Sequence, residues 1–179
     1  MVKKTLVIAP HPDDETIGCG GTLLRRQAEG VELGWLIVTG ISTEAGWSVE
    51  SVRQRDAEID KVFDLIGFDQ VFNLRLPTTK LDQLPFNSLI DKFSAVVKAF
   101  QPQEIFVSHR SDVHTDHRLV FDATAACTKW FRYPSVKTVL AYETISETEF
   151  SLDCSNPFHP NFFVDISEFL ERKLEVMTV

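Results

Sequence analysis

The stretch Thr5–Glu15, TLVIAPHPDDE, organises the architecture of this chain. Its first part, Thr5–Ala9, is a short apolar run that ends at Pro10, a pattern typical of a buried strand. A polar turn, His11–Glu15, follows directly and leads into a glycine-rich segment at residues 18–21. Ligands of open parallel sheets bind beyond the carboxyl ends of the strands. The polar turn is therefore the first candidate for a functional loop.

Apolar runs and amphipathic segments alternate along the rest of the chain. They predict strands at Glu32–Thr39, Gln70–Leu74, Glu104–Ser108, Thr138–Tyr142 and Phe162–Asp165, and helices at Thr22–Glu29, Val49–Ile66, Phe86–Phe100, His117–Phe131 and from Ser167, as the capping residue, toward Val179. Gly67 is expected to end its helix as a C′ residue. This alternation predicts an α/β fold of the Rossmann-like, three-layer type with a mostly parallel sheet in the strand order 3-2-1-4-5. In that order the first and fourth strands are neighbours, so the loops His11–Glu15 and His109–His117 should face each other.

Composition narrows the class of protein. The chain has 179 residues, a formal net charge of −8 and 44% hydrophobic residues, so we expect one folded domain over residues 1–179. The acidic balance argues against nucleic acid or an anionic membrane as a partner, since both attract basic surfaces. No apolar run approaches the roughly 20 residues of a membrane span, and the N-terminal run is too short for a signal peptide. We therefore expect a cytoplasmic protein.

The two facing loops carry side chains that bind divalent metals. A catalytic zinc takes three protein ligands among histidines and carboxylates and leaves one position open. His11, one of Asp13 and Asp14, and His117 supply such a set, and the spacing does not decide which aspartate binds the metal and which acts as a base. Each loop taken alone also fits a capped helix start. Both loops together favour a metal site, for which iron or manganese is an alternative to zinc.

Arg55 lies on the apolar stripe of its predicted helix, together with Val52, Ile59 and Val62. An inward-facing arginine is costly unless it is paired. Two interpretations follow: a contact to substrate or to the site, or a structural salt bridge with Glu58 or a site carboxylate. Both stay open at this point.

The glycine-rich segment at residues 18–21 allows a second class of function, nucleotide binding. The GxGxxG pattern fails because Leu23 stands at the third glycine position, and the acidic residues Asp13–Glu15 would repel a pyrophosphate. A better explanation of these glycines is that small residues let a helix approach the sheet closely. A Rossmann-like nucleotide-binding protein remains the alternative prediction.

The strings PHPDDE and IGCGGTLLR, followed by HTDH at residues 114–117, resemble the LmbE-like/PIG-L family of zinc-dependent N-acetylglucosaminyl de-N-acetylases. The resemblance covers most of the chain and implies one zinc ion held by His11, Asp14 and His117. It further implies that Asp13 is the general base. A protonated His114 would steady the oxyanion or protonate the leaving amine, and Asp116 would orient His114.

The family resemblance also implies a metal-dependent amidohydrolase that removes the N-acetyl group from an N-acetylglucosamine-type sugar in a glycoside, glycolipid or nucleotide sugar. Thr78 stands where many members carry an aspartate that contacts sugar hydroxyls. The segment Tyr142–Glu149 resembles part of a family pattern near the substrate, and an ordinary polar loop fits it equally well. Family chains usually run longer, so a C-terminally truncated domain is an expectation, as are a catalytically idle metal-binding protein and a homo-oligomer.

Overall fold

The computed structural model describes residues 3–153 and 155–179. Among those residues the strands are β1 (Lys4–Ala9), β2 (Glu32–Gly40), β3 (Gln70–Pro77), β4 (Glu104–Ser108) and β5 (Thr138–Tyr142). The helices are α1 (Asp14–Ala28), α2 (Val49–Ile66), α3 (Phe86–Phe100), α4 (Thr115–Ala126) and α5 (Leu170–Val176), with 3₁₀ turns at Leu81–Gln83 and Ser167–Phe169. The five strands pair in parallel in the order β3-β2-β1-β4-β5, which confirms the predicted fold class.

β1 lies at the centre of the sheet and is buried on both faces. Leu6 and Ile8 point to one face, where they pack with side chains of α3 and α4. Val7 and Ala9 point to the other face, which α1, α2 and α5 cover. Successive side chains of a strand alternate between the two faces, so a strand covered on both sides needs an unbroken apolar run. The result is a three-layer structure in which helices cover the central strands on both faces, while the edge strands β3 and β5 stay partly exposed.

The hydrophobic pattern located α2, α3, β4 and β5 at their observed bounds. Gly67 ends α2 in the left-handed region, with φ at 81°, as predicted. The start of α1 was predicted wrongly, because the helix begins at Asp14 rather than at Thr22 and includes the glycine-rich segment. Acidic residues in a first helical turn are favoured by the helix dipole, which explains the earlier start.

The last third of the chain differs more from the prediction. α4 spans Thr115–Ala126 instead of His117–Phe131, and Trp130 and Phe131 are mostly exposed rather than continuing a buried helix face. Phe162–Asp165 is not a strand and pairs with no part of the described sheet. Ser167 does not cap a helix, since its backbone N–H and hydroxyl both donate to Asp165 Oδ1 at the start of a 3₁₀ turn. Within the described residues, no helix is long and apolar enough to cross a bilayer.

Candidate metal centre and active site

The carboxyl ends of β1 and β4 bring the two polar loops together. These strands are adjacent and parallel, with Ile8 opposite Val107. The first loop leads into α1 and the second into α4, so the N-termini of both helices lie at the same edge of the sheet. The positive end of each helix dipole favours carboxylates there. The loops that follow β1 and β4 thus lie opposite each other, as the predicted strand order requires.

His11, Asp14 and His117 converge on one point. Asp14 Oδ2 lies 3.3 Å from His11 Nδ1 and 3.2 Å from His117 Nε2. Ligand atoms arranged tetrahedrally at about 2.0–2.1 Å from a zinc ion are roughly 3.3 Å apart, which agrees with both distances. His117 Nε2 is buried and makes no hydrogen bond of good geometry despite the nearby carboxylate. A buried nitrogen without such a partner is unusual, so the three residues fit a divalent cation.

A second possible ligand set shares His11. The ligand atoms of His11, His114 and Asp116 also lie within 4.8 Å of one another. The Asp116 carboxylate is already occupied, however, because it accepts hydrogen bonds from the backbone N–H groups of Thr79 at 2.8 Å and Leu81 at 3.3 Å. It also lies 3.3 Å from His11 Nε2, which leaves Nδ1 of that ring for the first set. The geometry therefore favours the first set of ligands.

In both His11 and His117, the ring nitrogen that faces away from Asp14 contacts another carboxylate. Asp116 contacts His11 Nε2, and Asp112 Oδ2 lies 2.8 Å from His117 Nδ1, with both side chains of the latter pair fully buried. Metal-binding histidines commonly donate their second ring N–H to a carboxylate, which fixes the tautomer and the ring orientation. We did not anticipate Asp112 from the sequence. Its only signal was a further aspartate in the second loop, and spacing does not reveal the contact with the ring.

The carboxylates favour positive charge on both rings. Burial lowers the pKa of His117, but the hydrogen bond with Asp112 and the nearby Asp14 outweigh burial and raise the pKa to about 10. Burial likewise lowers the pKa of His11, while Asp116 and Asp14 raise it to about 9. For Asp14, burial would raise the pKa, yet the two histidines hold it well below its ordinary value. A metal cation would bind the same histidine nitrogens that these protons occupy. The negative charge of the carboxylates therefore stabilises either a proton or a metal cation at this point.

Asp13 stands beside this centre with an uncommitted carboxylate. It occupies the N-cap position of α1, but its side chain accepts no capping hydrogen bond, which excludes the capping interpretation for this residue. Burial and the charge of Asp14 raise its pKa, against the lowering effect of His11 and Arg55. A carboxylate with a raised pKa is a stronger proton acceptor. Of the two adjacent aspartates, the structure brings Asp14 into the convergent set and leaves Asp13 outside it.

His114 caps α4 through a hydrogen bond with the Asp116 backbone rather than with the Asp116 carboxylate. Its Nδ1 accepts a hydrogen bond from the Asp116 backbone N–H at 3.1 Å. The Asp116 carboxylate contacts His11 and two backbone N–H groups rather than the His114 ring, so the expected orientation of His114 by Asp116 stays a prediction. Since Nδ1 accepts, the proton of the neutral ring lies on Nε2. Burial and the neighbouring His11 lower the pKa of His114, which favours this neutral form over the protonated form expected from the family resemblance.

Arg55 makes the predicted salt bridge and also lines a cavity, while a contact with substrate stays a prediction. Its Nε lies 3.2 Å from Glu58 Oε2, and its Nη1 donates to the Pro12 carbonyl at 3.4 Å. The side chain also lines a cavity of about 310 Å³ that adjoins the metal centre. The other lining residues are His11, Pro12, Asp13, Thr39, Gly40, Ile41, Trp47, Asp56, Ile59, Asn73, Arg75, Thr78 and Thr79. The salt bridge therefore holds the guanidinium at the wall of a cavity, where a ligand can reach it.

The glycine-rich segment does not form a phosphate-binding loop. Gly18, Gly20 and Gly21 lie inside α1, so their backbone N–H groups belong to the helix. A Cβ on Gly18 would lie 2.8 Å from Tyr142 Cε2, and one on Gly21 would lie 2.5 Å from Ile166 Cδ1. Two of these glycines thus permit close packing, which removes the structural basis of the nucleotide-binding alternative.

A doubly wound sheet with a two-histidine, one-carboxylate centre and a free carboxylate beside it defines a candidate metal-dependent hydrolase. Comparison with known proteins agrees with this class. The family model PIG-L, described as GlcNAc-PI de-N-acetylase, matches residues 6–128. The chain is 26% identical to the uncharacterised deacetylase YaiS of Escherichia coli, over 80% of this chain and 75% of that protein. It is 28% identical to the diacetylchitobiose deacetylase of Thermococcus kodakarensis, over 98% of this chain and 68% of that protein.

The solved structures include the conserved protein TT1542 from Thermus thermophilus, which superposes with a TM-score of 0.78 at 28% identity. The match covers 98% of this chain and 77% of TT1542. This chain belongs to the PIG-L family. That membership confirms the family resemblance and the enzyme class, a deacetylase that hydrolyses amide bonds. The site is compatible with a divalent metal, as the family resemblance implied.

Proposed function

We propose that this chain is a zinc-dependent hydrolase that removes the N-acetyl group from an N-acetylglucosamine-type sugar within a larger conjugate. One observation carries the proposal: His11, Asp14 and His117 converge beside the separate carboxylate of Asp13, at the edge of one cavity. Amide hydrolysis needs both a cation and a base at the same carbonyl group. The similarity to a diacetylchitobiose deacetylase supports the sugar as the substrate class.

The three ligands would hold the metal, and the neighbouring residues would move the protons. Zinc supplies a Lewis acid and lowers the pKa of a water molecule to roughly 7. Asp13 accepts the proton of the attacking water and returns it to the leaving amine. His114 donates a hydrogen bond from Nε2 to the oxygen on which negative charge develops. Arg55 places a positive charge near Asp13, which partly offsets the rise that burial and Asp14 cause in the pKa of that carboxyl group.

The cavity wall supports a sugar as ligand. Asn73 and Thr79 offer neutral hydrogen-bonding groups, and Thr78 replaces the aspartate of many family members. Trp47 is 48% exposed at the same cavity, so its ring can pack against the apolar face of a sugar. We infer that neutral groups and one aromatic face bind the hexosamine. Arg75, paired with Asp56 at 2.8 Å and half-exposed, is then available to a conjugated group beyond the sugar.

Metal analysis tests the first half of the proposal. Protein purified without added metal is measured by elemental analysis, and stripped protein is titrated with zinc, iron(II) and manganese(II). We expect one zinc ion per chain and the tightest binding for zinc among these three. A metal content near zero, with no binding in the titration, would contradict the proposed centre.

Acetate release tests the second half. The substrates are free N-acetylglucosamine, its nucleotide-linked form, a lipid-linked form and short chitooligosaccharides, each with zinc-loaded protein. We expect acetate from at least one conjugated sugar and less from the free sugar. Acetate from none of them, with one zinc bound per chain, would defeat the deacetylase proposal and leave a catalytically idle metal-binding protein.

A further inference from the structure

The segment that follows β5, residues 143–149, packs against the loop that precedes α4, the helix that carries His117. The Val113 backbone N–H donates to the Glu147 carbonyl at 3.1 Å. The Thr148 hydroxyl donates to Asp112 Oδ1 at 2.7 Å. The sequence left open whether this segment contacts substrate or is an ordinary polar loop. Its buried Thr148 instead contacts the Asp112 carboxylate, which in turn contacts the His117 ring.

These contacts form one continuous chain of hydrogen bonds. The Thr144 backbone N–H donates to Thr148 Oγ1 at 2.8 Å, and that hydroxyl donates to Asp112. Asp112 uses its other oxygen for His117 Nδ1, also at 2.8 Å. All four residues are buried, so solvent does not substitute for a missing partner. An interior hydrogen bond is also electrostatically stronger than one in water.

These contacts fix where the protons of the chain lie when the His117 ring is neutral, the form in which a histidine binds a metal. The Thr148 hydroxyl accepts from a backbone N–H, and its single proton therefore goes to Asp112. The Asp112 side chain accepts from Thr148 at one oxygen and faces His117 Nδ1 with the other, so the proton of the neutral His117 ring lies on Nδ1. Its Nε2 then carries the free lone pair on the side of Asp14, where that nitrogen makes no hydrogen bond of its own.

We propose that Thr148 is a positioning residue for the metal centre. Through Asp112 it fixes the orientation and tautomer of the His117 ring, and thereby sets the affinity of the site for a divalent cation. The inference rests on the proposed function in so far as His117 is a ligand. It extends that function from the two loops to the segment after β5, which touches neither the metal position nor the cavity beside Asp13.

Thr144 provides a matched control for Thr148. Both are buried threonines of the same turn, but the Thr144 hydroxyl makes no hydrogen bond. Thr148→Val removes the bond to Asp112 while preserving side-chain shape, whereas Thr144→Val removes no side-chain hydrogen bond. Thr148→Ser restores the hydroxyl. Asp112→Asn tests the same chain one step nearer to the ring and serves as a second variant if Thr148→Val does not fold.

The experiment measures Zn²⁺ affinity by competition with a chromophoric chelator, on full-length protein that has been stripped of metal. Changes to groups behind a metal ligand typically weaken metal binding by roughly 10- to 100-fold. We expect a loss in that range for Thr148→Val and Asp112→Asn. We expect a loss of less than about threefold for Thr144→Val and recovery of most of the affinity in Thr148→Ser.

A spectrum separates positioning from general destabilisation. Stripped protein loaded with Co²⁺ reports ligand geometry through its visible absorption bands, which we expect to shift in Thr148→Val and to stay unchanged in Thr144→Val. Equal Zn²⁺ affinities and Co²⁺ spectra in the two valine variants would overturn the positioning inference alone. Wild-type protein that binds no metal would overturn the proposed function and this inference with it.

Discussion

At the scale of single residues, the start of α1 places two adjacent aspartates in different environments. Asp14 is the first residue of α1, and its Oδ2 accepts a hydrogen bond from the His11 backbone N–H at 2.8 Å, which turns the carboxylate toward the histidines. Asp13 has an extended backbone with φ at −178° and makes no capping bond. The Asp14 carboxylate thereby lies beside both histidines, whereas Asp13, the proposed general base, stays outside this cluster.

Substitution of the free aspartate tests that division. Asp13→Asn is expected to retain one zinc ion per chain and to lose roughly 10²- to 10⁴-fold in kcat, the typical contribution of a general base. Elemental analysis and acetate release are measured on the same sample. Asp82→Asn, at an exposed aspartate of a 3₁₀ turn, is the control and should keep both properties. Loss of zinc in Asp13→Asn would make Asp13 a ligand, and unchanged turnover would remove it from catalysis.

Two histidines of the second loop are expected to respond differently to truncation. His117→Ala removes a nitrogen of the convergent set and should lower zinc affinity by more than 100-fold. His114→Ala removes a helix cap and a hydrogen-bond donor, so zinc should remain bound while turnover falls roughly 10²- to 10³-fold, as for other oxyanion-binding groups. Isothermal titration with zinc and acetate release separate the two cases. Zinc loss in His114→Ala but not in His117→Ala would favour the set His11, His114 and Asp116.

At the scale of elements, amphipathic spacing located the long helices well and failed where small or special residues dominate. α2 and α3 have regular apolar stripes, so their bounds follow from periodicity alone. The N-terminal half of α1 was missed because its glycines resemble a loop in the sequence. Their reason is tertiary, since Gly18 faces Tyr142 at the end of β5. Local patterns cannot report a contact between positions that are so far apart in the chain.

Two glycines of α1 should therefore respond oppositely to alanine. A Cβ on Gly18 would meet Glu143 O at 2.9 Å and the ring of Tyr142, whose hydroxyl is anchored to the Ile8 carbonyl. Gly18→Ala is expected to lower the free energy of unfolding by about 1–3 kcal/mol, as overpacking does. A Cβ on Gly20 would have its nearest atom 3.6 Å away. Gly20→Ala should therefore raise the free energy of unfolding by about 0.5–1 kcal/mol through helix propensity. Urea denaturation compares the two variants, and equal effects would contradict close packing at Gly18.

At the scale of the whole molecule, strand order brings the site together. Alternating strands and helices predict that the loops after the first and fourth strands meet, and the residues in them are chemically distinctive. The hydrogen bonds that surround the site residues could not be predicted from the strand order. Asp112 and Thr148 act through buried hydrogen bonds between segments 36 residues apart, and no local pattern marks such a pair. The contact between Asp116 and His11, 105 residues apart, was missed for the same reason.

The opposite end of the sheet contains a buried carboxylate, Glu104, that connects two strands with helix α1. Glu104, the first residue of β4, is 3% exposed and accepts hydrogen bonds from Thr5 Oγ1 of β1 at 2.9 Å and from Arg26 of α1 at 3.0 and 3.3 Å. Burial alone would raise the pKa of Glu104, but Arg26 and Thr5 hold it below its ordinary value of 4.5. Because the folded state favours the ionised form, Glu104 stabilises the fold above about pH 4.5, and this contribution is lost as the pH falls through the lowered pKa.

Replacement of Glu104 by glutamine should therefore have a pH-dependent effect on stability. At pH 7, Glu104→Gln is expected to lower the free energy of unfolding by about 1–3 kcal/mol, the range for hydrogen bonds to charged groups. Below pH 4.5 the difference from wild type should shrink, because the wild-type carboxyl becomes protonated as well. Urea denaturation of metal-free protein between pH 7 and pH 3 measures this, and the absence of metal removes its own pH dependence. Glu29→Gln, at an exposed partner of the same arginine, should change stability by less than about 1 kcal/mol. A pH-independent difference for Glu104→Gln would show that the loss of an acceptor oxygen, rather than the loss of the charge, weakens the connection between β1, α1 and β4.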